Sequence, residues 1–375
     1  MINTTLQARV LSILNDYKAK GIEEGVQVAA YHNGALVLDV CTSTVTGINA
    51  LRADDMIFSW SMTKGITALA MHIAVQKNLL AYDDPVARFW PAFAANGKRH
   101  ITVRQLLNHT AGLPNMPRVS RTEMCDWELM CRRFAEMTPL THPGEVPAYH
   151  AISYGWLVGE VLHRATNRTV TQFVQDEICA PLGLTDLHIG LPADRTMNTA
   201  RLLFDGVHGS LNLDHCGTAE MVDNPANFAN QRDVQHACMP AINMMTSARA
   251  LAKVYAALVG QGVNTKRLLT ERTVDHVRMV QRYAIDATSQ AVMVLGLGYQ
   301  LPAYDTPSAM SQRRGVFGHG GWGGSISFAD PDHQFAFALP KTRMVNSDDV
   351  LPVSLAVARA VRAELQIPET DRQTP

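Results

Sequence analysis

Apolar and polar positions follow two rhythms along this chain. Residues 26–40, VQVAAYHNGALVLDV, are two apolar runs around Asn33-Gly34, a strong signal for a β-hairpin. Residues 324–339, GSISFADPDHQFAFAL, repeat the pattern with Asp330-Pro331-Asp332 as the turn. Helical spacing takes over beside each hairpin. Residues 1–20 are charged and amphipathic, and in 348–366 the apolar face recurs at Leu355, Ala358, Val361 and Leu365. A helix beside a hairpin at both termini predicts one antiparallel sheet built from both chain ends and covered by both helices.

Between the ends the pattern is mainly helical. Residues 61–80 carry only Lys64 and Lys77 as formal charges, which predicts a buried central helix. Residues 102–114 open with a Thr102/Gln105 capping box and stop at Gly112 and Pro114. Further helices are expected over 152–166 and 169–183. Residues 195–240 read as polar and irregular, a long wall or lid over a site that the loop around 115–135 also shapes. The expected class is α+β: residues 1–85 and 185–375 form an α/β sandwich region, and 86–184 a mainly helical region of the same unit.

Composition narrows the partners. Of the 375 residues 47% are hydrophobic and 18% charged, so a modest charged surface encloses a large core. The formal net charge of −1 gives no electrostatic footprint for nucleic acid or an anionic membrane. No apolar run is long enough to span a bilayer, and the N-terminus lacks the h-region of a signal peptide. The six scattered cysteines read as reduced, mostly buried thiols, which points to the cytoplasm. The fourteen histidines show no metal spacing, so neither a metal nor a cofactor is expected.

Three stretches can carry chemistry. Ser61 and Lys64 form S-x-x-K at the start of the apolar helix, where positions i and i+3 share a face and the amine can reach the hydroxyl. A serine needs such a neighbouring base before it becomes a nucleophile, and a helix N-terminus suits a developing oxyanion. The bland alternative is a capping serine with a lysine reaching for solvent. Tyr149 follows the turn-former Pro143-Gly144. Beside a lysine cation its phenol can be lowered enough to act as a base, although a lone loop aromatic is usually a wall. His150, next to it, is a further candidate base or a structural hydrogen-bonder. The third stretch is GHGGWGG (318–324). It fits the G-x-G-x-x-G pattern of a dinucleotide loop but precedes a strand near the end of the chain, so the nucleotide reading fails on context. Glycines beside a strand edge instead let backbone N–H groups approach a ligand closely.

S-x-x-K early, a tyrosine about 90 residues later and a Gly-rich strand near the C-terminus are the layout of serine β-lactamases and penicillin-binding proteins. Within that superfamily the chain resembles the class C β-lactamase-related carboxylesterases, the family VIII esterases. The likeness runs through 58–70, 83–114, 149–164, 180–192 and 317–331. It implies a β-lactamase-like fold, Ser61 as nucleophile, Lys64 as its partner and Tyr149 as a shared general base, with the choice of acylation base left open. It also implies an oxyanion hole from the N–H groups of Ser61 and Trp322. His319, Gly320, Gly321 and Trp322 then line the substrate on the sheet edge, with His150 nearby. The implied partner is a small-molecule ester, and the implied reaction is hydrolysis or acyl transfer. Two departures bear on substrate. Ala151 stands where class C enzymes have the asparagine of Tyr-x-Asn, and His319-Gly320-Gly321 replaces their Lys-Thr-Gly. Both remove groups that bind a β-lactam.

Overall fold

Asn33 and Gly34 both take positive φ, 50° and 74°, the geometry a tight two-residue hairpin demands. They join strands Gly25–His32 and Ala35–Ser43. The structure, a computed structural model, describes residues 2–47, 50–193, 198–204, 206, 213–260, 266–344 and 352–371. Across the main sheet the order is Ala35–Ser43, Gly25–His32, Phe335–Leu339, Ile326–Asp330, Phe317–Gly320, with every neighbour antiparallel. Two strands from the start of the chain thus pair with three from its end, as the hairpin pattern predicts.

The period-2 alternation sorts the two faces of this sheet. Val28, Ala30, Phe328, Phe335 and Phe337 point to one side and pack with Leu6, Val10 and Leu14 of helix Thr4–Ala19 and Val357 and Val361 of helix Val353–Glu364. Each of those buried phenylalanines contributes roughly 1.5–3 kcal/mol of transfer free energy. Ala29, Ala329, Ala336 and Ala338 point the other way, where helix Ala248–Val259 lies against the sheet. Alanines on that face let the helix approach closely and tie the sheet to the main core. The terminal helix is seen from Val353; residues 348–351 of its expected span lie outside the described residues.

Helix Thr63–Gln76 is buried from Thr63 through Ala74, as its near-absence of charge predicts. It runs from the sheet edge into the helical region, against helix Tyr154–Thr166. Residues 86–184 form helices and turns, most of them short apart from Trp127–Glu136 and Tyr154–Thr166. The Thr102/Gln105 box caps a helix that ends at Leu107, before Gly112, because His109 takes φ 58° and turns the chain. Residues 195–240 depart from the irregular segment expected. Their described part holds four helices of four or five residues, Leu213–Cys216, Ala219–Asp223, Pro225–Ala229 and Arg232–His236. Met221, Phe228 and Val234 bury into the core from them. Elements barely one turn long show no helical period. Residues 195–197, 205 and 207–212 of that span lie outside the described residues.

Candidate active site

The chain enters the site through a strained turn. Phe58 ends a two-residue strand paired with Met244–Thr246, and Trp60 then adopts φ 45°. That conformation costs a bulky residue on the order of 1–3 kcal/mol and persists where packing over-determines it. Here the Trp60 ring is held edge-on between Phe58 and Trp322, each at a centroid distance of 4.9 Å. The turn Trp60–Met62 leads directly into helix Thr63–Gln76 and leaves Ser61 partly exposed at its start.

One helical turn on, Lys64 is wholly buried. Its Nζ lies 2.9 Å from Ser61 Oγ, 2.6 Å from the Ala151 carbonyl oxygen and 3.1 Å from that of Ala241. Burial pushes the ammonium well below its ordinary range. The neutral amine fits this cage: two N–H bonds serve the two carbonyls, and the lone pair faces the serine hydroxyl, which has its own proton to give. Ala151, which lacks the family's amide side chain, still contributes through its carbonyl.

Tyr149 meets the same serine. Its phenol hydrogen-bonds Ser61, and its ring lies 5.1 Å from Lys64 Nζ. The expectation of a lowered phenol is overturned. Burial pushes Tyr149 well above its ordinary range and the Asp286 charge adds to this, while the Ser61 hydrogen bond only partly offsets them. A lysine kept neutral by burial supplies no cation to lower it. Burial thus favours the protonated phenol and the neutral amine at this serine.

The Gly-rich stretch closes the other side. Strand Phe317–Gly320 runs along the sheet edge, with Gly320 fixed by its N–H bond to Gln300 Oε1 at 3.0 Å. A Cβ on Gly321 would stand 2.8 Å from the Ser59 carbonyl oxygen, so only glycine lets this strand end lie on the turn that carries Ser61. Gly323 and Gly324, at φ 86° and 96°, then turn the chain back. Neither the Ser61 nor the Trp322 N–H donates to a main-chain acceptor among the described residues.

Three histidines surround this centre, all neutral. His319, pushed down to about 3 chiefly by burial, donates from Nδ1 to the Gly320 carbonyl at 2.7 Å and stacks on Tyr149. It supplies no cation where the Lys-Thr-Gly box would. His150 is wholly buried, and both ring nitrogens are engaged. Nδ1 donates to the Ala148 carbonyl at 2.6 Å and Nε2 accepts from the Leu113 N–H at 3.1 Å. That leaves nothing for a substrate, and the expected binding role of His150 is replaced by a structural one. His109 accepts the His150 N–H on Nδ1 at 3.1 Å and packs its ring 4.9 Å from Tyr149. Sequence reasoning passes over His109, Gln300, Asp286 and the Ala241 carbonyl. A main-chain oxygen has no sequence signature, and the side chains arrive from positions that no local spacing links to Ser61.

Among the described residues no group of three or more His, Cys, Asp or Glu is placed to hold a metal ion, and no helix is long and apolar enough to cross a membrane.

The chain is similar in sequence and in fold to known proteins. The Esterase/beta-lactamase LipL of Mycobacterium tuberculosis is 29% identical, over 86% of this chain and 78% of its own length. The Acyltransferase mokF of Monascus pilosus is 25% identical, over 84% of this chain and 79% of its own. The crystal structure of a family VIII carboxylesterase superposes with a TM-score of 0.85 at 27% identity, covering 97% of this chain and 98% of that one. The Beta-lactamase family profile matches residues 12–362, nearly the whole length. With the serine, lysine and tyrosine gathered at the edge of a sheet built from both chain ends, the chain belongs to the beta-lactamase family.

Proposed function

We propose that this protein is a serine hydrolase that cleaves carboxylic esters with short acyl chains through an acyl-enzyme on Ser61. The observation that carries the reading is the Lys64 amine, 2.9 Å from Ser61 Oγ with its other two contacts on carbonyl oxygens. Neutral Lys64 takes the Ser61 proton as Oγ attacks the ester carbonyl carbon. The new oxyanion sits between the Ser61 and Trp322 N–H groups; losing one such donor raises a barrier by about 3 kcal/mol. As the tetrahedral intermediate collapses, Tyr149 gives its proton to the departing alkoxide and recovers one from Lys64. Water then attacks the acyl group, passing its proton to the same pair, and Ser61 leaves with a proton restored.

Support for esters over β-lactams comes from position 151, which offers no side-chain amide, and from neutral His319. The likeness to a family VIII carboxylesterase favours the same choice, while LipL is described as both esterase and beta-lactamase. Acyl transfer to an alcohol or amine is the second reading, favoured by the likeness to mokF. It uses the same residues with a different acceptor. A p-nitrophenyl ester chain-length series on wild type and Ser61→Ala tests the proposal. Turnover falling with acyl length and vanishing in the mutant is expected, and unchanged turnover in Ser61→Ala contradicts it. Repeating the series with added alcohol separates hydrolysis from transfer.

A further inference from the structure

A hairpin, Arg282–Ile285 paired with Val292–Leu295, stands beside the segment that carries Tyr149. It grips that segment at three points. Arg282 Nη2 donates to the Gly144 carbonyl at 2.7 Å, the Ala287 N–H donates to the Pro147 carbonyl at 3.1 Å, and the Tyr149 N–H donates to Asp286 Oδ1 at 2.7 Å. Asp286 is only 2% exposed. Its other oxygen accepts from Thr288 Oγ1 at 2.6 Å, from the Ser289 N–H at 2.9 Å and from Ser289 Oγ at 2.6 Å. Its own N–H donates to the Ala291 carbonyl at 2.9 Å. Burial alone would raise this carboxyl; the hydrogen bonds from Ser289, Thr288 and Tyr149 outweigh it and hold the group below its ordinary range, ionised.

A local turn accounts for the bonds from Thr288 and Ser289. It does not account for the second oxygen, which reaches 137 positions back along the chain to one amide. The amides on either side, Ala148 and His150, are both held by His109, through its carbonyl at 3.0 Å and its Nδ1 at 3.1 Å. Three successive N–H groups are thus fixed by two partners, and only the middle one, that of Tyr149, goes to Asp286.

We infer that Asp286 is a positioning residue for the reaction proposed above: its buried carboxylate, locked by Thr288 and Ser289, pins the Tyr149 main chain so that the phenol stays on Ser61. The tyrosine side chain is a long lever, so a small rotation of its backbone carries the hydroxyl off the serine and away from the leaving oxygen. The inference rests on Tyr149 donating a proton to the departing alkoxide, and that dependence makes it testable.

A departing p-nitrophenolate needs little protonation, whereas an ethoxide needs it badly. The test is kcat/KM for p-nitrophenyl acetate and for ethyl acetate, measured on wild type, Asp286→Ala, Asp286→Asn and Tyr149→Phe. With general acid catalysis worth about 10²–10⁴-fold, Asp286→Ala is expected to lose about 30-fold on ethyl acetate and under about threefold on p-nitrophenyl acetate. Asp286→Asn keeps an acceptor for the Tyr149 N–H and is expected to recover part of the ethyl acetate activity. A carboxylate that only stabilises the fold lowers both substrates equally, and equal losses overturn the inference. If Tyr149→Phe shows the leaving-group bias and Asp286→Ala does not, the inference falls while the role of Tyr149 stands. If neither shows it, the role of Tyr149 falls and the inference with it. Should Asp286→Ala fail to fold, Thr288→Val with Ser289→Ala loosens the same carboxylate in place; a smaller bias of the same sign is expected, and no bias overturns the inference.

Discussion

Lys64 and Lys98 are both wholly buried, and each points its Nζ at three oxygens. The difference lies in what those oxygens can do. Lys98 meets only carbonyls, those of Ala95 at 2.9 Å, Ala135 at 3.0 Å and Met137. Two of these belong to the end of helix Trp127–Glu136, where unpaired carbonyls and the helix dipole favour a cation. Three acceptors need three N–H bonds, so Lys98 is complete only as an ammonium. Lys64 meets two carbonyls and a hydroxyl. The hydroxyl donates as readily as it accepts, so the site is complete with a neutral amine. One exchanged partner, serine for carbonyl, separates a lysine that ties down a helix end from one that the proposed mechanism uses as a base.

That contrast breaks most visibly at Lys64. Lys64→Met is expected to lower kcat/KM for p-nitrophenyl acetate by about 10³-fold, the usual scale for removing a positioned base. Stability moves the other way. Because the folded state holds Lys64 below its ordinary pKa, the unfolded chain binds a proton at neutral pH that the folded site refuses. The lysine therefore takes stability away there, and gives it back as pH rises toward the ordinary lysine value. The mutant also strands the Ala151 and Ala241 carbonyls, so the two effects oppose and Tm at pH 7 should fall less than in Lys98→Met; a larger fall than in Lys98→Met would contradict the neutral amine.

Lys98→Met reverses the pattern. Stranding three carbonyls in the interior is expected to destabilise the fold by about 3 kcal/mol in denaturant melts, with kcat per folded molecule unchanged. A lost activity with an intact fold would erase the distinction between the two lysines.

Near neutral pH the smallest effect comes from the surroundings of Lys64. Burial pushes His150 down to about 4 and His319 to about 3, so the unfolded chain takes up protons below pH 6.5 that these folded histidines do not. Stability should fall as pH drops from 6.5 toward 4, by up to about 1.4 kcal/mol per pH unit for each such histidine. His319→Gln should flatten that slope in a Tm-versus-pH series and Lys98→Met should leave it; a slope that His319→Gln leaves unchanged would argue against a buried neutral imidazole.

The same contrast marks what a sequence can disclose. S-x-x-K spacing suffices to bring Lys64 to Ser61, because a helical turn fixes positions i and i+3 whatever surrounds them. Nothing local announces that Ala151 and Ala241 close the cage or that Lys98 lies under a helix end, since the partners are main-chain oxygens far along the chain. The hairpins are legible for a similar reason: Asn33-Gly34 and the period-2 runs decide the outcome within a dozen residues. The one-turn helices of 213–236 are not, because their positions are fixed by burial of Met221, Phe228 and Val234 and not by any internal period. Tyr149 is legible as a member of the site, but its protonation state is not. The expected lysine cation is disfavoured by a burial that only the fold reveals. The glycines of 318–324 look like a phosphate cradle as a pattern. In three dimensions Gly321 serves a different need, contact of a strand edge with the Ser59 carbonyl.

The most direct test of the central claim, that Ser61 is the nucleophile activated by neutral Lys64, is covalent trapping with a fluorophosphonate probe, read by peptide mass spectrometry alongside residual ester turnover. The account predicts one label per chain, on Ser61, with turnover lost in proportion to labelling and labelling sharply slowed in Lys64→Met. A label on another residue, or ester turnover that survives full labelling of Ser61, would contradict it.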